Sequence, residues 1–398
     1  MARWLVACSV VTSLHAVQAH EAGAVHDAAA AAASSGRPSA QVIDPRAGSG
    51  AGMSQRASFL DAAERALERG DVAVAALGFE RAAMLLHAAD TEMGIVRAAM
   101  QAGDYRRALA FCAHTAGAHR DAPAAGALYA WLLRIGGQEA YASRVLDETL
   151  ARSPDDAVAN AVRRAFDAPV IEAAGVLLEL PHRLAPQSVM QAGQAPPPAG
   201  ARRVSSGVLI ASGQLALVPL APVEGTRKLW VRNGLGQTTE ATQERAPEPL
   251  HALGFALLRL AAALETGATE LAPRDAFAGS PGFAIEYADT AAATPAWPVL
   301  RQGFLGAFDG AAGMRRLGIE LPPGPRGGPV LDASGRLAGI ALPGSDGRAA
   351  MLPVSMFRSV AQGAPVDSVA GAAVAPRLPA DEAYERALKT ALQVIALQ

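Results

Sequence analysis

Cysteine is almost missing from this chain, and so is lysine. Among 398 residues the only cysteines are Cys8 and Cys112, and Cys8 falls in an apolar leader. Past that leader the chain therefore holds one thiol and no internal disulfide. Cys112 sits on a helical pattern with Ala108, Phe111 and Thr115, the setting of a buried, inert thiol rather than a reactive one. Lysine occurs only as Lys228 and Lys389 and arginine takes its place, a usage that points to GC-rich bacterial coding. Charged residues make up 18% of the chain with a net charge of −2, which leaves no electrostatic footprint for nucleic acid. No apolar run is long enough to span a bilayer; the best, residues 255–264, is interrupted by Arg259. No Cys/His cluster has metal-ligand spacing, no glycine-rich loop follows a strand in phosphate-binding form, and no basic–aromatic interleaving occurs. The sequence therefore predicts no metal, no cofactor and no nucleic-acid partner.

What is abundant is alanine. It dominates a hydrophobic content of 51%, enough for more than one core, and it suits close helix packing better than membrane spanning. Residues 1–19 read as a secretory signal: Arg3, an apolar stretch from Trp4 to Val17, and the small-residue site Val17-Gln18-Ala19. Export, and in a Gram-negative cell the periplasm, is the expected location. Leu5-Val6-Ala7-Cys8 resembles a lipoprotein box, but almost no hydrophobic stretch precedes it, so lipidation is the lesser reading. Cleavage after Ala19 would leave His20 first and His26 close behind. An amino-terminal histidine suits copper, yet no second ligand of fixed geometry accompanies it, and residues 20–53 have the composition of a flexible linker.

From residue 54 the pattern turns helical, with Ser58 and Asp61 spaced as a capping box. Gly70-Asp71, Gly103-Asp104 and Gly137-Gln138 then recur at intervals of 33 and 34. Each glycine is followed by an alanine (Ala75, Ala108, Ala142), then an apolar residue (Phe79, Cys112, Leu146), then a small one (Ala82, Thr115, Thr149). In this register residues 54–168 resemble tetratricopeptide repeats, three helix pairs with the glycine at the turn inside each pair. The resemblance implies a surface that binds peptide segments of a protein partner; a rigid spacer is the bland alternative.

Residues 169–203 form a transition, marked by Pro181 and Ala195-Pro196-Pro197-Pro198, in which 171–180 suits either a last helix or an entering strand. Beyond it, short β-like runs are expected near 204–210, 215–218, 229–232, 256–260, 303–306, 337–341 and 351–354. Residues 363–398 read as a tail ending in an amphipathic helix over 379–398. Asp381 and Glu382 start that helix, and Tyr384, Leu388, Ala391, Leu392 and Ile395 form its stripe. The helix would pack on the barrel domain or, in the sharper reading, on the repeats or a second copy.

Three stretches within 204–362 carry a second resemblance. Leu217-Val218-Pro219-Leu220-Ala221-Pro222-Val223-Glu224-Gly225, Gly254-Phe255-Ala256-Leu257-Leu258-Arg259-Leu260 and Gly324-Pro325-Arg326-Gly327-Gly328-Pro329 are similar to the histidine, aspartate and serine segments of chymotrypsin-like, Deg-type peptidases. The resemblance implies a double β-barrel. It puts Ala221, Gly254 and Arg326 at the three triad positions, and Gly324, Arg326 and Gly327 at a vestigial oxyanion site or peptide groove. None of the three triad side chains can attack a carbonyl, accept its proton or orient a base. Arg326 either drifted there after catalysis was lost or holds a carboxylate such as a peptide C-terminus. The expectation is an exported multidomain α and β protein: a helical repeat domain followed by a non-catalytic trypsin-like double barrel. It would bind protein or peptide. A hydrolase with a rearranged site, drawing on His251, Glu248 and a serine such as Ser206, Ser212 or Ser345, is the alternative.

Overall fold

The computed structural model describes residues 50–266, 270–287, 292–308, 313–321, 326–343, 348–362 and 376–397. The expected signal, His20, His26 and the linker up to residue 49 lie outside them. Residues 48–398 form one compact unit in which helices and barrels share a core.

Among the described residues seven helices come first: α1 Gly50–Glu68, α2 Val72–Leu85, α3 Ala89–Ala102, α4 Tyr105–Ala118, α5 Pro123–Ile135, α6 Glu139–Arg152 and α7 Ala157–Asp167. The recurring glycine closes the first helix of each hairpin. Gly70, Gly103 and Gly137 have φ of 82°, 84° and 85°, and the next residue's amide reaches back across the turn. These bonds are Asp71 to Ala66 O (2.8 Å), Asp104 to Ala99 O (2.9 Å) and Gln138 to Leu133 O (2.9 Å). The pattern is the Schellman closure, in which a left-handed residue satisfies carbonyls the helix would otherwise orphan, and glycine takes that conformation without a Cβ clash. All nine repeated positions picked from the sequence are buried, including Ala75, Phe79, Cys112 and Leu146 at 0% exposure. The array is thus built of three helical hairpins with α7 as a seventh helix. Its start differs from expectation: α1 begins at Gly50, so Ser58 and Asp61 lie inside a helix and form no capping box. The residues before Ser58 tolerate helix, and Arg56 fixes that first stretch to α3 through Asp90 and Thr91.

Residues 171–180 form neither alternative, only a short 3-10 turn over Gly175–Leu178. The chain then enters the β region: β1 Val189–Met190, β2 Arg202–Ile210, β3 Leu215–Pro219, β4 Lys228–Asn233, β5 Gln237–Glu244, α8 Glu248–Ala252 and β6 Phe255–Leu260. The second set is β7 Ser280–Glu286, β8 Val299–Phe308, β9 Arg315–Gly318, β10 Pro329–Asp332, β11 Leu337–Pro343 and β12 Ala349–Pro353. After α9 (Arg358–Gln362), the described chain ends in α10 Ala380–Ala387 and β13 Ala391–Leu397.

These strands make two closed barrels, the architecture implied by the peptidase resemblance. The second runs β10-β11-β12-β9-β8-β7. The first runs β5-β4-β13-β2-β3-β6 and closes through β5–β6, with β1 added at β5. Its third member, β13, comes from the far end of the described chain. The amphipathic helix expected over 379–398 is real only for Ala380–Ala387; the next residues extend and pair antiparallel with β2 on one side and β4 on the other. Leu392, Val394 and Ala396 fill the interior of the first barrel with Leu209, Val218 and Leu258, while Ile395 packs outside on Trp230. A strand buried on both faces is apolar at nearly every position, and such a run fits a helical stripe equally well.

Helix α10 ties the array to the barrels. Tyr384 meets Tyr105 of α4 edge to face at 4.5 Å, and its hydroxyl donates to Pro298 O at 2.7 Å. Around it Arg106 pairs with Glu382 and Glu385. Arg301 of β8 pairs with Glu139 of α6.

Candidate functional site

The three stretches that carried the peptidase resemblance meet at one place, the seam between the barrels. Pro219 at the end of β3 is paired with Phe255 at the start of β6, and the Leu220 amide donates to Gly254 O at 2.7 Å. Ala221 and Gly254 are therefore neighbours, both exposed. The Gly327–Gly328 pair closes the group from the other barrel. A Cβ on Gly327, whose φ is 138°, would lie 2.3 Å from Ser206 O and 2.8 Å from Pro219 Cδ. One on Gly328 would lie 2.0 Å from Ile285 O. Both positions need glycine because the loop is squeezed between β2–β3 and β7. Gly324 and Pro325 lie outside the described residues.

What faces the seam is a buried acid that sequence reading missed. Glu286, 1% exposed at the end of β7, accepts backbone hydrogen bonds from Gly327 (3.2 Å) and Gly328 (2.8 Å) through Oε1. Burial raises its carboxyl from the ordinary 4.5 to about 7; the Ser206 hydroxyl, the two amides and the nearby Arg326 charge pull the other way without prevailing. Arg326, half-buried, stands in the field of this internal carboxylate, while its own burial draws its guanidinium below the ordinary value. No pattern in the sequence marks Glu286, because its partners are about forty residues away in a loop whose backbone, not side chains, bonds it.

The raised carboxyl sets a pH dependence. Folded Glu286 holds its proton more tightly than the unfolded chain does, so its contribution is fully present below the ordinary 4.5 and is lost as pH rises through about 7. The loss over that window is on the order of 3 kcal/mol. Urea unfolding of the full chain at pH 5 and pH 8 should show this decline, and Glu286→Gln should reduce it. An unchanged pH slope in the variant would remove Glu286 as its source.

Among the described residues the substitute side chains do not assemble. Ser206 is buried within β2, and Ser345 lies outside the described residues. Ser212 is exposed in the β2–β3 turn, at the Leu215 end of β3, whereas His251 in α8 lies near the Pro219 end. Glu248 is engaged with Arg245. Away from the seam, His87, Glu92 and His119 of the helical array bring ligand-type atoms within 4.8 Å of one another, a convergence the sequence spacing did not reveal.

No protein-family model matches the chain, and no curated protein does. Among solved structures the chain is similar to the apo MamO protease domain from Magnetospirillum magneticum, at 19% identity over 41% of this chain and 96% of that one, TM-score 0.31. It is similar to the HtrA-type protease AlgW with decapeptide, at 20% identity over 40% of this chain and 51% of that one, TM-score 0.33. It is also similar to the serine endoprotease from Yersinia pestis, at 16% identity over 41% of this chain and 61% of that one, TM-score 0.33. The chain spans about half to three fifths of the length of the latter two.

Proposed function

We propose that the chain is an exported, non-catalytic protein-binding or scaffold protein, in which tetratricopeptide-like hairpins and a pseudo-peptidase double barrel act as one body. The observation that carries this reading is the chemistry of the seam. Ala221, Gly254 and Arg326 supply neither nucleophile nor base, and the Gly327 amide is already bonded to Glu286. An amide committed to an internal carboxylate is not available to a developing oxyanion. Losing one triad member already leaves only about 10³–10⁴ over water. Binding is supported by the outer surface of α2, where Val74, Leu77 and Met84 stand 61%, 47% and 67% exposed beside Leu86.

Purified protein incubated with casein and with unfolded polypeptides should produce no fragments over the buffer control. Crosslinking in a periplasmic extract should capture a protein partner, and Leu77→Asp with Met84→Asp should abolish that capture. Fragmentation of either substrate would sink the non-catalytic reading; unaltered capture by the double variant would remove α2 as the binding surface.

A further inference from the structure

The helical array gathers three of the chain's eight histidines around one buried carboxylate. α3 and α4 form an antiparallel hairpin, so the end of α4 returns beside the beginning of α3. Glu92 lies in the first turn of α3, His114 in the last turns of α4, His119 just past its end, and His87 in the connection from α2. His87 Nε2 is 2.5 Å from Glu92 Oε1, and His119 Nε2 is 3.4 Å from Glu92 Oε2. His114 Nε2 stands 3.7 Å from Oε1. The rings of His87 and His119 are 4.8 Å apart between centres.

The residue balance is unusual for a structural cluster. Glu92 is 2% exposed, yet its Oε2 has no hydrogen-bond partner, and neither does the buried Nε2 of His119 that faces it. A buried carboxylate is costly unless it is paired and hydrogen-bonded or coordinates a metal. A divalent cation would give both of these partnerless atoms a partner, since it takes neutral imidazole nitrogens and a carboxylate oxygen as donors. Tetrahedral donors about 2.0–2.1 Å from zinc lie roughly 3.3 Å from one another. The His119–Glu92 spacing meets that value, and half-exposed His87 needs an outward shift of only about an ångström to meet it.

We propose that His87, Glu92 and His119, with His114 in reach as a fourth donor, form a binding site for a divalent transition-metal ion of the zinc and copper class. A nitrogen-rich donor set of this kind favours those ions over magnesium or calcium, which prefer all-oxygen shells. Because the ligands come from the α2–α3 connection, α3 and the end of α4, the ion would clamp consecutive hairpins together. The site is separate from the barrel seam and does not depend on how the seam is read.

The test is titration of the chelator-stripped full chain with Zn²⁺ by calorimetry, and with Co²⁺ by visible absorption. One equivalent should bind, with the ligand-field bands of a four-coordinate cobalt site, and Zn²⁺ should raise the melting temperature. His87→Ala together with His119→Ala, and separately Glu92→Gln, should each weaken binding at least tenfold. His87→Ala alone, at an exposed position, should bind more weakly while keeping the parent's far-ultraviolet circular dichroism and a cooperative melt, which separates ligand loss from misfolding. His20→Ala with His26→Ala should leave this binding intact. Absence of a stoichiometric site, or binding lost with His20 and His26 but kept without His87 and His119, overturns the proposal.

Discussion

Deleting residues 391–397 leaves a first barrel that does not fold. β13 is paired along both edges, so its removal exposes unpaired β2 and β4 and opens the interior that Leu392, Val394 and Ala396 fill. Truncating a single buried Leu or Ile to Ala costs about 2–5 kcal/mol. Leu392 and Ile395 together therefore approach the ~5–15 kcal/mol that holds a whole domain. The deleted chain should be insoluble or lack near-ultraviolet circular dichroism from Trp230, which packs on Ile395. Leu392→Ala should remain folded and lose about 2–5 kcal/mol in urea unfolding. A soluble deletion variant that still melts cooperatively near the parent temperature would show that β13 is dispensable to the barrel.

The second large effect is at Tyr384. Its ring is fully buried against Tyr105, whose own hydroxyl donates to Leu132 O at 2.8 Å, and its hydroxyl satisfies Pro298 O. Tyr384→Ala removes an aromatic ring from the junction of array and barrels and leaves a buried carbonyl without its donor. The expected loss is about 3–5 kcal/mol. Tyr384→Phe keeps the ring and should cost about 1–3 kcal/mol. A cycle with Tyr105→Ala should give a coupling of about 0.5–1.5 kcal/mol, the range for aromatic pairs. Additive losses would mean that the two rings do not stabilise each other across the junction.

Much of this architecture was legible because particular residues have few alternatives. The glycines at 70, 103 and 137 announce the hairpins, since a left-handed turn recurring at a fixed period leaves little else to read. Strands such as β2, β3 and β6 announce themselves through apolar runs. β5 does not: Gln237–Glu244 is polar, and its buried Thr238 and Thr239 are satisfied by side chains from other segments, among them Arg232 and Gln194. β13 misled because burial on both faces erases the alternation that identifies a strand. The seam was half legible. The motif order brought Ala221, Gly254 and the Gly327 loop together, while Glu286 depends on a fold-level contact that no local spacing encodes. The same holds for Glu92 and its histidines, brought together only when α4 turns back along α3.

The proposed non-catalytic role requires that Ala221, Gly254 and Arg326 leave the barrel seam without a working nucleophile. The most direct measurement is the intact mass of the purified protein after exposure to a fluorophosphonate serine probe at neutral pH. The mass should stay unshifted under conditions that fully label an active serine peptidase. A stoichiometric adduct, mapped by fragmentation to any serine, would contradict it.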